Sequence, residues 1–255
     1  MTKTPRLTVA KSLALISLIT VLPGSVFAAQ TAIDADAAER VRASMSYLAG
    51  LKQFALDTDT TIEVVLESGQ KIQFDNAVVA TVQRPNKMLA VRKGDLVNQE
   101  FLYDGASLTL HDVDAGFYAT VPAPDTLEGM LDFARESLDI VAPAGDFLYA
   151  NAYDILMQDV QSGFIVGTTY IEGVACDHLA FSAPHVDWQI WVQQGDTPLP
   201  RKLVITSRDV LNAPQFTVRI KNWNLSPDVS DELFQFVKPE EAVAIEFITL
   251  SADAE

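Results

Sequence analysis

The sequence predicts an α+β fold that is mainly β: one large antiparallel sheet that curls, with a few short helices against its concave side. Three observations predict it. Apolar and polar residues alternate through most of the 255-residue chain, turn-forming Gly, Pro, Asn and Asp recur between the alternating runs, and 3.6-residue periodicity is confined to short stretches.

The first segment is an address rather than a structural element. Lys3, Arg6 and Lys11 precede an apolar run from Leu13 to Leu22, which is too short to span a bilayer, and Pro23-Gly24 ends it. Val26 and Ala28 occupy the small-residue positions of a cleavage site. Residues 1–28 are therefore expected to be a cleaved signal peptide, with one domain over 29–255. No cysteine lies near residue 29, so a lipid-modified N-terminus is not expected.

A helix opens the domain, with Asp34 or Asp36 as cap, Ala38, Val41, Met45 and Leu48 on its apolar face, and Gly50 at its end. From Gln53 to Glu67 the period changes to two: Phe54, Leu56, Ile62, Val64 and Leu66 share one parity, with Asp57, Asp59, Glu63 and Glu67 on the other. After Ser68-Gly69 a second run carries Ile72, Phe74, Val78, Ala80 and Val82 on one face, which predicts a long hairpin. Turn signals at Arg84-Pro85-Asn86, Lys93-Gly94-Asp95, Asp104-Gly105 and Asp114-Ala115-Gly116 continue it as a meander. Asp125 then caps a helix bearing Leu127, Met130, Leu131, Ala134 and Leu138, with Glu128 placed for a capping box and Pro143 as the stop. A further helical stretch covers Phe147 to about Met157. Strands resume at 164–171, 174–181, 187–193, 201–208 and 215–223, followed by a helical turn within 226–242 and a terminal strand at Ile245 to Ile248.

About ten or eleven strands at about 4.8 Å each make an open sheet about 50 Å across, while one helix covers about 10 Å of it. Three short helices cannot cover that face. A sheet of this size curls, and a concave apolar face only partly filled leaves a cavity that suits small apolar ligands. A two-layer core in which large side chains close every gap is the alternative that the pattern leaves open.

Composition excludes other classes. With 34 acidic against 18 basic residues, the net charge of −16 disfavours nucleic acid and anionic membrane surfaces; without Lys3, Arg6 and Lys11 it becomes −19. A single cysteine and three histidines leave no cysteine-rich or histidine-rich metal site, and neither metal nor cofactor is expected. Cys176-Asp177-His178 pairs a thiol with an imidazole, but in a strand Cys176 and His178 share a face while Asp177 points away. His111 with Asp112 and Asp114 reads as an Asp-rich turn, His178 and His185 have no metal spacing, and Val166-Gly167-Thr168-Thr169 lacks the lysine of a phosphate loop. Trp188 and Trp191 fall on opposite strand faces, and Trp188, in phase with Ile190 and Val192, is expected inside.

The stretches Glu172–Phe181, Asp187–Val192 and Pro198–Thr206 closely resemble a family of predicted periplasmic proteins of unknown function. The Arg84-Pro85-Asn86-Lys87 turn, Tyr103-Asp104-Gly105, and the closing Leu233-Phe234-Gln235-Phe236 with Pro239 are similar to the wider superfamily of LolA/LolB-type lipoprotein carriers and receptors. Over residues 35 to 248 that resemblance implies a half-barrel of antiparallel strands, plugged by helices, around an apolar cavity that accepts acyl chains. It carries over no catalytic residue.

The expectation is a non-enzymatic, monomeric periplasmic protein that binds a lipid, an acyl chain or a lipoprotein. An envelope sensor or assembly partner that uses the same fold to bind protein is the alternative, and a hydrolase using Cys176 or His178 a third reading. Expected cavity-wall residues are Phe54, Leu56, Ile62, Val64, Ile72, Phe74 and Trp188 on strands, with Leu127, Met130, Leu131 and Leu138 on the helical lid.

Overall fold

A computed structural model describes residues 32–140, 142 and 144–247. The expected signal peptide, Pro143 and Ile248 lie outside these residues.

Asp34 caps the first helix, α1 (Ala35–Gly50), by accepting the Asp36 N–H at 2.9 Å. Its buried face is Ala37, Val41, Ser44, Met45 and Leu48, so Ala37 takes the place expected for Ala38. Six strands follow as a meander: β1 (Gln53–Val65), β2 (Lys71–Gln83), β3 (Lys87–Gly94), β4 (Asn98–Tyr103), β5 (Ser107–Asp112) and β6 (Phe117–Pro122). Helix α2 (Leu127–Leu138) is capped by Thr126, whose hydroxyl accepts from Gly129 N–H at 3.1 Å. This corrects the expected Asp125 cap: Thr126 holds the extended backbone a cap needs, and Glu128 instead accepts from Ala150 N–H at 3.2 Å. The helix stops at Asp139 in the left-handed region, short of Pro143. The next helical stretch splits into a 3₁₀ turn at Gly145–Leu148 and α3 (Ala152–Met157).

A second meander comprises β7 (Ser162–Ile171), β8 (Val174–Ser182), β9 (Val186–Gln193), β10 (Pro200–Ser207) and β11 (Gln215–Asn224). A 3₁₀ turn at Asp231–Phe234 leads to the two-residue β12 (Val243–Ala244). That strand precedes the one expected at 245–248 and pairs in parallel with β6.

All twelve strands form one curved sheet in the order β12-β6-β5-β4-β3-β2-β1-β11-β10-β9-β8-β7. Pairing of β1 with β11 joins the two meanders, from Ala55 opposite Asn224 to Ile62 opposite Phe216, with a bulge at Asp57/Thr58. Bulges also interrupt the β7–β8 and β9–β10 pairings, and each adds local bend and twist. The topology dictates where the helices go. β6 and β7 stand ten strand spacings apart, about 48 Å across the sheet, so the chain between them must traverse a face. It traverses the concave one: α1, α2, α3 and the first 3₁₀ turn bury Val41, Leu48, Met130, Phe147 and Ala152 in one core with Phe54, Leu179, Ile190 and Val218 from the strands.

At the β7 end this core is closely packed. Phe181 and Trp188 stack with ring centroids 4.2 Å apart, and Phe181 lies over its cross-strand partner Gly163, where an added Cβ would meet the ring at 2.2 Å. Gly163→Val is therefore expected to destabilise the fold by about 2 kcal/mol through overpacking, read as a lower urea midpoint with an unchanged slope.

Candidate functional site

The even residues of β1 face the concavity, and their partners extend the same face across the sheet. One row runs Leu56–Ala80–Ala90–Phe101 over β1 to β4, the next Thr58–Val78–Arg92–Gln99. Several side chains of this floor are short: Thr58, Ala80 and Ala90 in these rows and Thr60 in the row beyond all line the space beneath the helices. The roof is equally shallow. Met130 and Ala134 of α2 lead into Ile140, Ala142, Ala144 and Gly145, with Phe147 beyond. The result is a partly enclosed apolar cavity of about 190 Å³. Val218, Ile220 and Trp223 of β11 complete its wall; the bulge in the pairing of β1 with β11 lets Trp223 approach Phe54, ring centroids 5.5 Å apart.

Of the residues expected at the wall, Phe54, Leu56, Ile62 and Met130 line this cavity. Ile72 and Phe74, half-buried, and Val64, 40% exposed, prolong the same stripe outward from Ile62 in the pairs Val64–Ile72 and Ile62–Phe74. Leu127, Leu131 and Leu138 of α2 and Trp188 of β9 are buried in the core and do not line the cavity. Trp188 faces inside while Trp191 packs on the convex face with Cys176 and Val204.

Sequence reasoning missed the polar members of the lining. Thr58 is 6% exposed and its hydroxyl has no hydrogen-bond partner. Arg92 also lines the cavity; it donates through Nη2 to Gln99 Oε1 at 3.0 Å, while its Nε is buried without a partner. Burial pushes the Arg92 guanidinium below its ordinary pKa. The signal was present: Arg92 shares strand parity with Met88 and Ala90.

The other reactive groups lie elsewhere. Cys176 is fully buried on the convex face, where burial pushes its thiol upward, away from the thiolate a nucleophile requires. His178 stacks on Trp191 at 4.0 Å and bonds Gln189 through Nε2, and burial lowers its pKa. Asp177 points to the opposite face, as strand parity requires, and binds Arg40 of α1 and Gln194. His111 pairs with Glu100 at 2.9 Å, while Asp112 and Asp114 bond Ala115 N–H and Asn98. Among the described residues, no group of three or more His, Cys, Asp and Glu side chains could hold a metal ion, and no helix is long and apolar enough to cross a membrane.

The family described as predicted periplasmic protein (DUF2092) matches residues 37–248. No curated protein matches the chain. Among solved structures, LprF from Mycobacterium bovis is 15% identical, the match covering 83% of this chain and 100% of that one at a TM-score of 0.48. The Mycobacterium tuberculosis lipoprotein LppX is 16% identical over 77% of this chain and 100% of its own, with a TM-score of 0.45. A LolA superfamily protein from Nitrosomonas europaea is 12% identical over 78% and 97%, with a TM-score of 0.35.

Two outcomes follow from the side chains described. Thr58→Val replaces an unsatisfied buried hydroxyl by a methyl group of the same shape and is expected to stabilise the ligand-free protein by about 1 kcal/mol in urea unfolding. For His178 the folded pKa lies below the unfolded one, so the unfolded chain takes up the proton first and stability drains as pH falls below about 6.5. The stability of the wild type relative to His178→Gln should accordingly fall between about pH 7.5 and pH 5.5, measured by urea melts at both.

Proposed function

The chain belongs to the DUF2092 family of predicted periplasmic proteins, and from that premise we propose that it is a soluble periplasmic binding protein or carrier that houses the apolar chain of a lipid or lipoprotein and catalyses no reaction. The observation that carries this reading is the cavity: about 190 Å³ of apolar-walled space between the sheet and the helices that cross it. Each chain methylene moved there from water contributes about 0.8 kcal/mol, so ten or so offset the several kcal/mol that association costs. Phe54, Leu56, Ile62 and Met130 are the contacts proposed for the buried part of the chain, and Val64, Ile72 and Phe74 for its exit. Trp188, Leu127, Leu131 and Leu138 hold the wall and the lid in place. The burial of Cys176 and its position on the convex face support a binding role over a hydrolytic one. Residues 1–28 are proposed as a leader removed on export, leaving a free, unlipidated N-terminus.

Native mass spectrometry of protein purified from a periplasmic extract should find a bound lipid-sized mass, and the delipidated protein should take up a fluorescent fatty acid. Apo protein alone, with no uptake, would overturn the proposal. Ala90→Phe fills the cavity centre and is expected to weaken uptake at least about tenfold while the far-UV circular dichroism stays unchanged.

A further inference from the structure

The second concave row carries more polarity than an oil-binding site requires. Thr58, Val78 and Arg92 are direct cross-strand neighbours on β1, β2 and β3, which puts Thr58 and Arg92 on either side of Val78 with backbones about 10 Å apart. One register further on, Thr60 faces Asn76, and both also line the cavity. The rows on the other side, Leu56–Ala80–Ala90 and Phe54–Val82–Met88, are apolar. The floor therefore carries a polar band at Thr58, Thr60, Asn76 and Arg92, with the apolar rows of Phe54 and Leu56 on one side of it and Ile62 on the other.

Arg92 is the charged residue of the cavity lining, and like Arg201 and Arg219 it has no carboxylate at ion-pair distance among the described residues. Arg40, Arg42, Arg84, Arg135 and Arg208 each sit within ion-pair distance of a carboxylate. Among the described residues none pairs with Arg92, although the chain holds 34 acidic side chains. Its buried Nε–H and the Thr58 hydroxyl, 6% exposed, lack partners in the same cavity. A guanidinium is a fork of donors that matches a carboxylate or phosphate in two parallel bonds, and a hydroxyl across the row supplies a third donor.

Resting on the apolar-chain reading above, we propose that the occupant is an anionic amphiphile whose carboxylate or phosphate head lies over Val78, bound by Arg92 and Thr58, with its chain running toward Leu56 and Phe54. Such a head supplies the half-buried guanidinium, bonded within the protein to Gln99 through Nη2, with the counter-charge it lacks.

The test compares dodecanoate, dodecyl phosphate and methyl dodecanoate, below their aggregation concentrations, by displacement of a fluorescent fatty acid and by calorimetry at about pH 8, where the carboxylic acid is ionised. The wild type should bind at least one anionic probe about tenfold or more tightly than the ester. Arg92→Met should erase that preference while leaving ester affinity within about twofold, Arg92→Lys should keep part of it, and Thr58→Val should weaken anions only. Tighter binding of the carboxylate points to free fatty acids and tighter binding of the phosphate to phospholipid-type heads; either supports the assignment. Equal wild-type affinity for anion and ester, or parallel loss of both in Arg92→Met, overturns the head-group role while leaving the apolar-chain reading intact. Failure of all three probes to bind overturns both. Should Arg92→Met fail to fold, Arg92→Gln and the wild-type anion-to-ester ratio decide the question.

Discussion

Coverage of the concave face governs the rest of this structure. Twelve strands in one sheet present far more inward-facing area than helices of 16, 12 and 6 residues can occupy. Curvature relieves part of the mismatch by shortening the span, and the bulges at Asp57/Thr58 and Ile165/Gly167 help to bend the strands. At the β7 end the shortage is met by large side chains, since Phe181, Trp188, Ile190 and Leu179 fill the space beneath α1. Over β1 to β4 it is not met: alanines and threonines face a roof of alanines and glycine, and space remains. The two halves of one sheet thus differ in side-chain volume rather than in backbone plan.

The same topology leaves two sheet edges that need protection. At β7, Ile33 bridges Gly163 and Asp34 N–H donates to the Gly163 carbonyl, so the entry to α1 doubles as an edge cover. At β6 the chain returns late in the sequence: Phe236 packs on Tyr118 and His111 from the convex side, and β12 then adds its parallel pair at Phe117 and Tyr118. Lys87 pairs with Asp231 and lies over the Phe234 ring, tying this returning segment to β3. Edges blocked by short, irregular segments offer little backbone to a second strand.

Strand parity is the property that the sequence transmits best. The long β1–β2 hairpin, the opposite facing of Trp188 and Trp191, and the separation of Asp177 from Cys176 and His178 all follow from a period of two. Where a bulge breaks the period, the reading loses its footing. Trp223 reaches the concave wall because a residue is skipped opposite Asp57/Thr58, and nothing local to Lys221-Asn222-Trp223 announces that skip. The caps were harder still: Asp125 and Thr126 are both good caps, and only the backbone decides between them. Parity alone also marks Arg92 as inward-facing. A search for apolar wall residues passes over it, although a cation out of place in a hydrophobic pattern is the sharper clue.

Two electrostatic scales act on this molecule in opposite senses. The net charge of −16 gives a diffuse negative field that repels anionic surfaces, and at physiological ionic strength it is screened within about 8 Å. Arg92 acts inside the cavity, where lower polarity strengthens a short contact and salt penetrates less. An anionic amphiphile bound there would be drawn by a local fork of donors into a body that a membrane bearing the same charge holds off. For a carrier of such molecules the combination would be useful: the field would discourage adhesion to an anionic donor or acceptor surface, while the half-buried guanidinium would discriminate among the single molecules that leave it. Charge of one sign outside and a cation without a carboxylate partner within would then act together in selecting the occupant.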